Sequence, residues 1–88
     1  MLEYAKSTSN QGKYQEASLI LKRILEIEPE NIYALKLKGF SEFMCESYDL
    51  SEDANRKILS LENNNAYAMQ GLGLALYFKG RSKEEAIE

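Results

Sequence analysis

Apolar residues recur along the chain at steps of three and four residues. Ala17, Ile20, Leu21, Ile24 and Ile27 follow the spacing i, i+3, i+4, i+7 and i+10. This spacing places them on one face of a helix, because an α-helix turns once every 3.6 residues. The pattern predicts an all-α chain, with helices at about 2–10, 14–28, 32–45, 49–62 and 66–78 and the beginning of another from 83.

Turn-forming residues separate these helical segments. Pro29 ends the second helix, because proline lacks a backbone N–H, and Asn31 is a suitable N-cap for the third. The asparagines at 63–65 precede the fifth helix in the same way. Gly80 is expected to cap the end of that helix, and the segment SKEE at 82–85 has the form of a capping box. These two features predict a longer turn and a new helix that begins at Ser82.

The sequence also repeats itself with a fixed offset of 34 residues. The segment KRILEIEPEN at 22–31 returns as RKILSLENNN at 56–65, and YAL at 33–35 returns as YAM at 67–69. A fixed period of this length is typical of proteins built from helical repeats. The chain is therefore interpreted as a single domain over 1–88, with a partial first repeat at 1–31, a second repeat at 32–65 and an incomplete third repeat at 66–88.

A helix–turn–helix unit of 34 residues with small and large residues at fixed places resembles the tetratricopeptide repeat. The large, large–small and aromatic positions of its first helix correspond here to Leu35, Lys38-Gly39 and Glu42, and again to Met69, Leu72-Gly73 and Leu76. The resemblance implies a right-handed superhelical array of antiparallel helix pairs, an α-solenoid of about five helices and a C-terminal helix stub.

Small residues and departures from the family pattern give two further expectations for packing. Close helix crossings are expected at the small residues Ala5, Ala17, Gly39 and Ser51. Polar residues stand at three positions where the family prefers apolar or aromatic groups, namely Lys38, Glu42 and Asn55. We therefore expect the second helical hairpin to pack less well than the first.

In such arrays the first helix of each pair lines a concave groove. The resemblance thus implies a protein–protein interaction module that binds a peptide or a helix of a partner protein in an aromatic-rich groove. The residues expected in this groove are Tyr33, Lys36, Phe40, Phe43, Tyr67, Gln70, Leu74 and Tyr77. Aromatic side chains suit protein-binding surfaces, since they offer a large contact area with few rotatable bonds. The competing interpretation places these aromatics in the core, where residues at helical spacing are more often found.

One function known in the family can be compared position by position. Some tetratricopeptide co-chaperones hold the C-terminal carboxylate of heat-shock chaperones with a clamp of Lys, Asn, Asn, Lys and Arg. The corresponding positions here are Leu2, Lys6, Leu37, Tyr67 and Gly71. None is the required residue type, so carboxylate clamping is disfavoured.

The alternative function is structural self-association. Ala86 and Ile87 are expected to cover Gly73 and Leu76, which leaves Met69 and Leu72 with little above them. Such a surface predicts either more of a longer parent protein, of which we expect this chain to be a fragment, or a homodimer through the C-terminal end.

Composition argues against several other classes of protein. Eleven Lys and Arg against fourteen Asp and Glu give a net charge of -3, which disfavours nucleic acid, including RNA read by a helical repeat. No apolar run is long enough to span a membrane. With no histidine and one cysteine, the commonest general base and a thiolate metal site are both missing, so we expect neither an enzyme nor a cofactor. Cys45 cannot form an internal disulfide, which favours a reducing, cytoplasmic location.

Overall fold

The chain folds into α-helices joined by short turns. The computed structural model describes residues 2–87, with the side chains of residues 2–81. Its helices are α1 (Leu2–Asn10), α2 (Tyr14–Ile27), α3 (Ile32–Met44), α4 (Tyr48–Leu61) and α5 (Ala66–Ile87), and no strand occurs within 2–87. The predicted all-α class is confirmed. The bounds predicted for the first four helices differ from these by at most one residue.

Asparagine caps begin two of the helices in the same manner. The Asn31 side-chain oxygen accepts a hydrogen bond of 3.0 Å from the backbone N–H of Ala34 at the start of α3. At the start of α5, Asn65 accepts one of 2.9 Å from Ala68. Each bond satisfies an N–H that has no partner within its own helix. Because Asn31 and Asn65 are one repeat apart, the sequence period corresponds to a repeated local geometry.

The ends of α1 and α3 are also equivalent, although their residue types differ. Gly12 has a φ of +80° after α1, and Glu46, 34 positions later, has a φ of +62° after α3. The left-handed conformation ends the helix and lets the Ser47 N–H reach back to the Glu42 carbonyl at 2.8 Å. Glycine adopts this conformation freely, whereas a side chain at Glu46 makes it strained.

The predicted end of the fifth helix is wrong. Gly80 lies inside α5, which continues without a break to Ile87, so neither a cap at Gly80 nor a new helix at Ser82 forms. Continuing an existing helix adds one hydrogen bond per ordered residue, whereas a separate helix must first form a costly nucleus. Ala86 therefore lies about 20 Å along the axis from Gly73 and cannot fold back to cover it.

The helices form two layers with the apolar core between them. Each helix packs on the next along the chain, and α1, α3 and α5 also contact one another in order. One cluster of buried residues contains Ile24 and Ala34, and the next contains Ile58 and Ala68. Leu25 packs against both clusters and joins them. The core thus repeats with the period of the sequence.

A close helix crossing lies between α3 and α4. Ser51 is buried, and its hydroxyl donates a hydrogen bond of 2.9 Å to the carbonyl oxygen of Gly39. A Cβ atom at Gly39 would lie 3.5 Å from the Cβ of Ala54, so the crossing has room for a methyl group and little more. Gly39 and Ser51, two of the four expected small residues, are thus buried where α3 and α4 cross. Ala5 and Ala17 are fully buried as well.

Two of the unexpected polar residues pair with each other. The Lys38 ammonium lies 3.0 Å from the Glu42 carboxylate, and the Ser18 hydroxyl of α2 donates a hydrogen bond to the same carboxylate oxygen. Both charged side chains are largely withdrawn from water. A buried charge is tolerated when it is paired and hydrogen-bonded. This polar group therefore connects α2 to α3 at positions where the family uses apolar contacts.

The glycines at 39 and 73 offer a matched test of the crossing. We expect Gly39→Leu to lower the free energy of unfolding by about 1–3 kcal/mol, because the added methylenes would overpack Ala54 and Asn55. Gly73 occupies the same place one repeat later, but apart from the backbone of its own helix no described atom lies within 4 Å of a Cβ built there. Gly73→Leu should therefore leave the stability unchanged or raise it slightly through helix propensity. Urea unfolding of both variants measures the difference, and equal losses would contradict the assigned crossing.

Candidate functional site

A groove runs along the layer formed by α1, α3 and α5. It consists of two adjoining cavities of about 320 and 290 Å³, which share Phe40 and Tyr67 as common walls. The repeat explains this arrangement, because equivalent residues on successive helices of one layer point the same way. We call the two cavities together the groove.

The first cavity lies between α1, α3 and the start of α5. Ser9 and Asn10 line it from α1, and Tyr33 and Lys36 line it from α3. The Lys36 ammonium stands 5.0 Å from the centre of the Tyr67 ring, a cation–π geometry. This cavity therefore combines two phenol rings with one positive charge.

The second cavity lies between α3, α4 and α5. Most of its surface is apolar, and its walls include Phe40, Phe43, Met44, Tyr67, Gln70 and Leu74. The floor comes from α4, where Ser51 and Asn55 lie between the glycines at 39 and 71. None of the residues that line this cavity carries a formal charge.

The structure brings seven of the eight residues predicted for the groove to these cavities. The first cavity contains Tyr33, Lys36, Phe40 and Tyr67, and the second contains Phe40, Phe43, Tyr67, Gln70 and Leu74. The side chains of Tyr33, Phe40, Tyr67 and Leu74 remain 43–47% exposed. These four residues line the walls of the cavities, and their exposure is intermediate between that of a core residue and that of a fully exposed one.

The eighth residue, Tyr77, lies outside both cavities. Its ring packs edge-on against Phe78 at 5.3 Å, and the Arg81 guanidinium lies 5.9 Å from its centre. Phe78 in turn contacts Phe43 at 5.3 Å and Tyr48 at 5.8 Å. The aromatic rings at this end therefore pack on one another across α3, α4 and α5.

Sequence reasoning did not include Asn55 or Gly71 in the groove. In the sequence, Asn55 is a polar residue at an apolar position of the repeat, and Gly71 stands where the carboxylate clamp has an arginine. A signal was present, because the residue one repeat before Asn55 is the fully buried Leu21. An amide in place of that leucine indicates a polar group in the core. Only the packing of α5 shows that this amide lines the second cavity.

Charged residues beside the groove pair among themselves. Lys79 of α5 lies 2.6 Å from the Asp49 carboxylate and 3.1 Å from that of Glu52, and Arg56 lies 2.7 Å from Glu52. Hydrogen bonds from Arg56 and then Lys79 lower the pKa of Glu52, and those with Asp49 and Glu52 raise the pKa of Lys79. The two Lys79 contacts join α5 to α4, whereas the Arg56–Glu52 pair lies within α4. Lys36 has no such carboxylate within 4 Å among the described side chains.

Other kinds of site find little support in the described part of the chain. Burial and then the Glu42 carboxylate raise the pKa of the Cys45 thiol, although Lys38 acts in the opposite direction. The thiol form is therefore favoured over the reactive thiolate. Over the described residues, no cluster of three or more His, Cys, Asp or Glu side chains is placed to hold a metal ion. None of the described helices combines the length and apolar character needed to cross a membrane.

Comparisons with known proteins leave the chain without an assigned family. No protein-family model matches it, and no curated protein or solved structure is similar to it at a significant level.

The loss of stability on truncation to alanine should be larger for Phe43, whose ring packs on other rings, than for Tyr33, whose ring is half exposed. Phe43→Ala should lower the free energy of unfolding by about 2 kcal/mol or more, because it removes ring contacts with Tyr48 and Phe78. Tyr33→Ala should cost about 1 kcal/mol or less, because its ring is half exposed. Urea unfolding monitored by circular dichroism measures both values. A larger loss for Tyr33 would place that ring in the core and remove it from the groove.

Proposed function

We propose that this chain is a tetratricopeptide-like protein-interaction module that binds an extended peptide or a helix of a partner protein in the groove. The observation that carries the proposal is the pair of adjoining cavities with half-exposed aromatic walls. Phe40 and Tyr67 belong to both cavities, so a ligand that crosses them would contact one continuous apolar surface. Apolar concavities with a few polar groups are the usual form of a ligand site.

The proposed array is a right-handed superhelix of antiparallel helix pairs. Its support is the repeated local geometry: the Asn31 and Asn65 caps, the left-handed residues Gly12 and Glu46, and the contacts of α1 with α3 and of α3 with α5. Helices in one layer lie about 8–10 Å apart, so a peptide crossing three of them spans roughly 20 Å, or about six extended residues.

Selection from a library of random peptides about ten residues long tests this function, since that length exceeds the estimated span of the groove. Peptides enriched on the wild-type chain should bind the variant Tyr33→Ala/Tyr67→Ala at least about tenfold more weakly, because aromatic anchors carry most of the binding energy. This variant should stay folded, with a loss of about 2 kcal/mol or less in its free energy of unfolding, since both rings are half exposed.

The control is Leu19→Ala, on the exposed face of α2 in the other layer. It should bind the same peptides with unchanged affinity. Equal weakening in the control, or full binding by the tyrosine variant, would refute a groove site on α1, α3 and α5.

Self-association is the second candidate function, and the outer face of α5 favours it. Met69, Leu72, Gly73 and Leu76 follow the spacing i, i+3, i+4 and i+7, so they form one stripe. Met69 and Leu76 are 50% and 43% exposed, and a Cβ at Gly73 would meet no atom within 4 Å. A second copy of the chain that packs on this stripe would form a two-fold dimer.

Light scattering over a range of protein concentrations tests for this dimer. The wild type should show a rising average mass, and Met69→Asp should remain monomeric because a carboxylate would have to be buried in the contact. Leu19→Asp, which places the same charge on the outer face of α2, should associate like the wild type. A monomeric wild type at high concentration would exclude self-association as the function.

A further inference from the structure

Asn55 is a buried amide at the floor of the second cavity. It lies in α4 with 4% of its surface exposed. One repeat earlier, Leu21 fills the corresponding place completely. Apolar side chains form most of the cavity wall, so the amide is a single polar group in an apolar surrounding.

The hydrogen-bonding capacity of this amide is only partly used. Its Nδ2 donates a hydrogen bond of 2.9 Å to the carbonyl oxygen of Ser51. Among the described residues no N–H or O–H donates to its Oδ1. This oxygen is not among the buried side-chain atoms that lack a hydrogen-bond partner, so part of its surface remains accessible. A ligand that covers it must supply a donor, because a buried carbonyl oxygen without one costs free energy.

Gly71 leaves the space that this oxygen occupies. A Cβ atom at Gly71 would stand 2.6 Å from Asn55 Oδ1, which is closer than any side chain permits. Glycine in the middle of a helix lowers its stability by about 1 kcal/mol relative to alanine. Glycine at this position of α5 avoids that clash, so the amide of Asn55 can lie at the floor of the cavity.

The volume of the cavity suits one aromatic ring. An apolar cavity of roughly 150 Å³ is large enough for a benzene ring, and this one measures about 290 Å³. Phe40, Phe43 and Met44 offer the edges, faces and sulfur atom that favour contact with another ring. A charged side chain would find no counter-charge on these walls, so the occupant is an uncharged ring.

We propose that the second cavity is a specificity subsite for a tyrosine side chain of the partner, whose hydroxyl donates a hydrogen bond to Asn55 Oδ1. This inference rests on the proposed function, since it names the residue that anchors a bound segment. A phenylalanine would fill the same space but leave Oδ1 without a donor. The subsite therefore distinguishes tyrosine from phenylalanine by one buried hydrogen bond.

Charge identifies the residue next to this tyrosine. Lys36 stands over the Tyr67 ring, which is a wall of both cavities, and has no carboxylate within 4 Å among the described side chains. A partner segment that places tyrosine in the second cavity thus brings its neighbouring residue toward a positive charge. The preferred segment has an aspartate or glutamate beside the tyrosine.

Small analogues of the two side chains test the subsite without a known partner. p-Cresol represents tyrosine and toluene represents phenylalanine, and both are titrated into the full chain while backbone amide resonances are recorded. Saturable shifts should centre on Gly39, Asn55 and Gly71. The selectivity for p-cresol over toluene should fall about threefold to tenfold in Asn55→Leu, because the near-isosteric leucine removes one neutral hydrogen bond.

A second variant tests the cavity itself. Asn55→Phe should fill the space and abolish binding of both analogues, whereas Leu19→Ala should bind as the wild type does. Unchanged selectivity in Asn55→Leu, or shifts that centre elsewhere, would overturn the subsite. Binding of both analogues by Asn55→Phe would overturn it as well.

The peptide selection distinguishes this inference from the proposed function. Enriched peptides with tyrosine beside an acidic residue, which lose affinity in Asn55→Leu and in Lys36→Gln, would support both. Peptides that depend on Tyr33 and Tyr67 but contain no tyrosine would overturn the subsite alone. Binding of p-cresol at Asn55 without any groove-dependent peptide would support the subsite and refute peptide capture.

Discussion

The close crossing of α3 and α4 is the constraint on which most of the structure depends. A single amphipathic helix buries only one stripe, so helices of this length are stable only when packed against each other. At the crossing, Gly39 has no side chain and Ser51 donates its hydroxyl to the Gly39 carbonyl at 2.9 Å. The short distance between the two backbones brings Asn55 of α4 to the surface shared by α3 and α5. The floor of the second cavity is thus a consequence of the crossing.

Polar residues at core positions of the repeat have two different outcomes. Glu42 receives contacts from both Lys38 and Ser18, so its charge is neutralised within the fold and has a structural role. Asn55 has only one of its two amide atoms bonded, and the other faces a cavity that reaches the groove. The two cases differ because Glu42 is satisfied within the fold, whereas the Asn55 oxygen remains accessible and needs a donor from any ligand that covers it.

The α5 helix differs from the others because no further helix packs on its outer face among the described residues. In the first two repeats, a left-handed residue ends the helix and returns the chain to a partner. At the equivalent Gly80 the helix simply continues, and Gly73 and Met69 remain open. Equivalent positions of the repeat thus form a turn after α1 and α3 but continue as helix in α5.

The sequence by itself determined the all-α class, most helix bounds and the asparagine caps, because these follow from local periodicity and short-range hydrogen bonds. Only the tertiary structure decided the continuation of α5, the pairing of Phe43 with Phe78 and the exposure of the Asn55 amide to the groove. Each of these depends on contacts between residues distant in the chain. The period of 34 residues shows which positions are equivalent in the repeat. Equivalent positions nevertheless make different contacts, because the residues that pack around them in the folded chain differ.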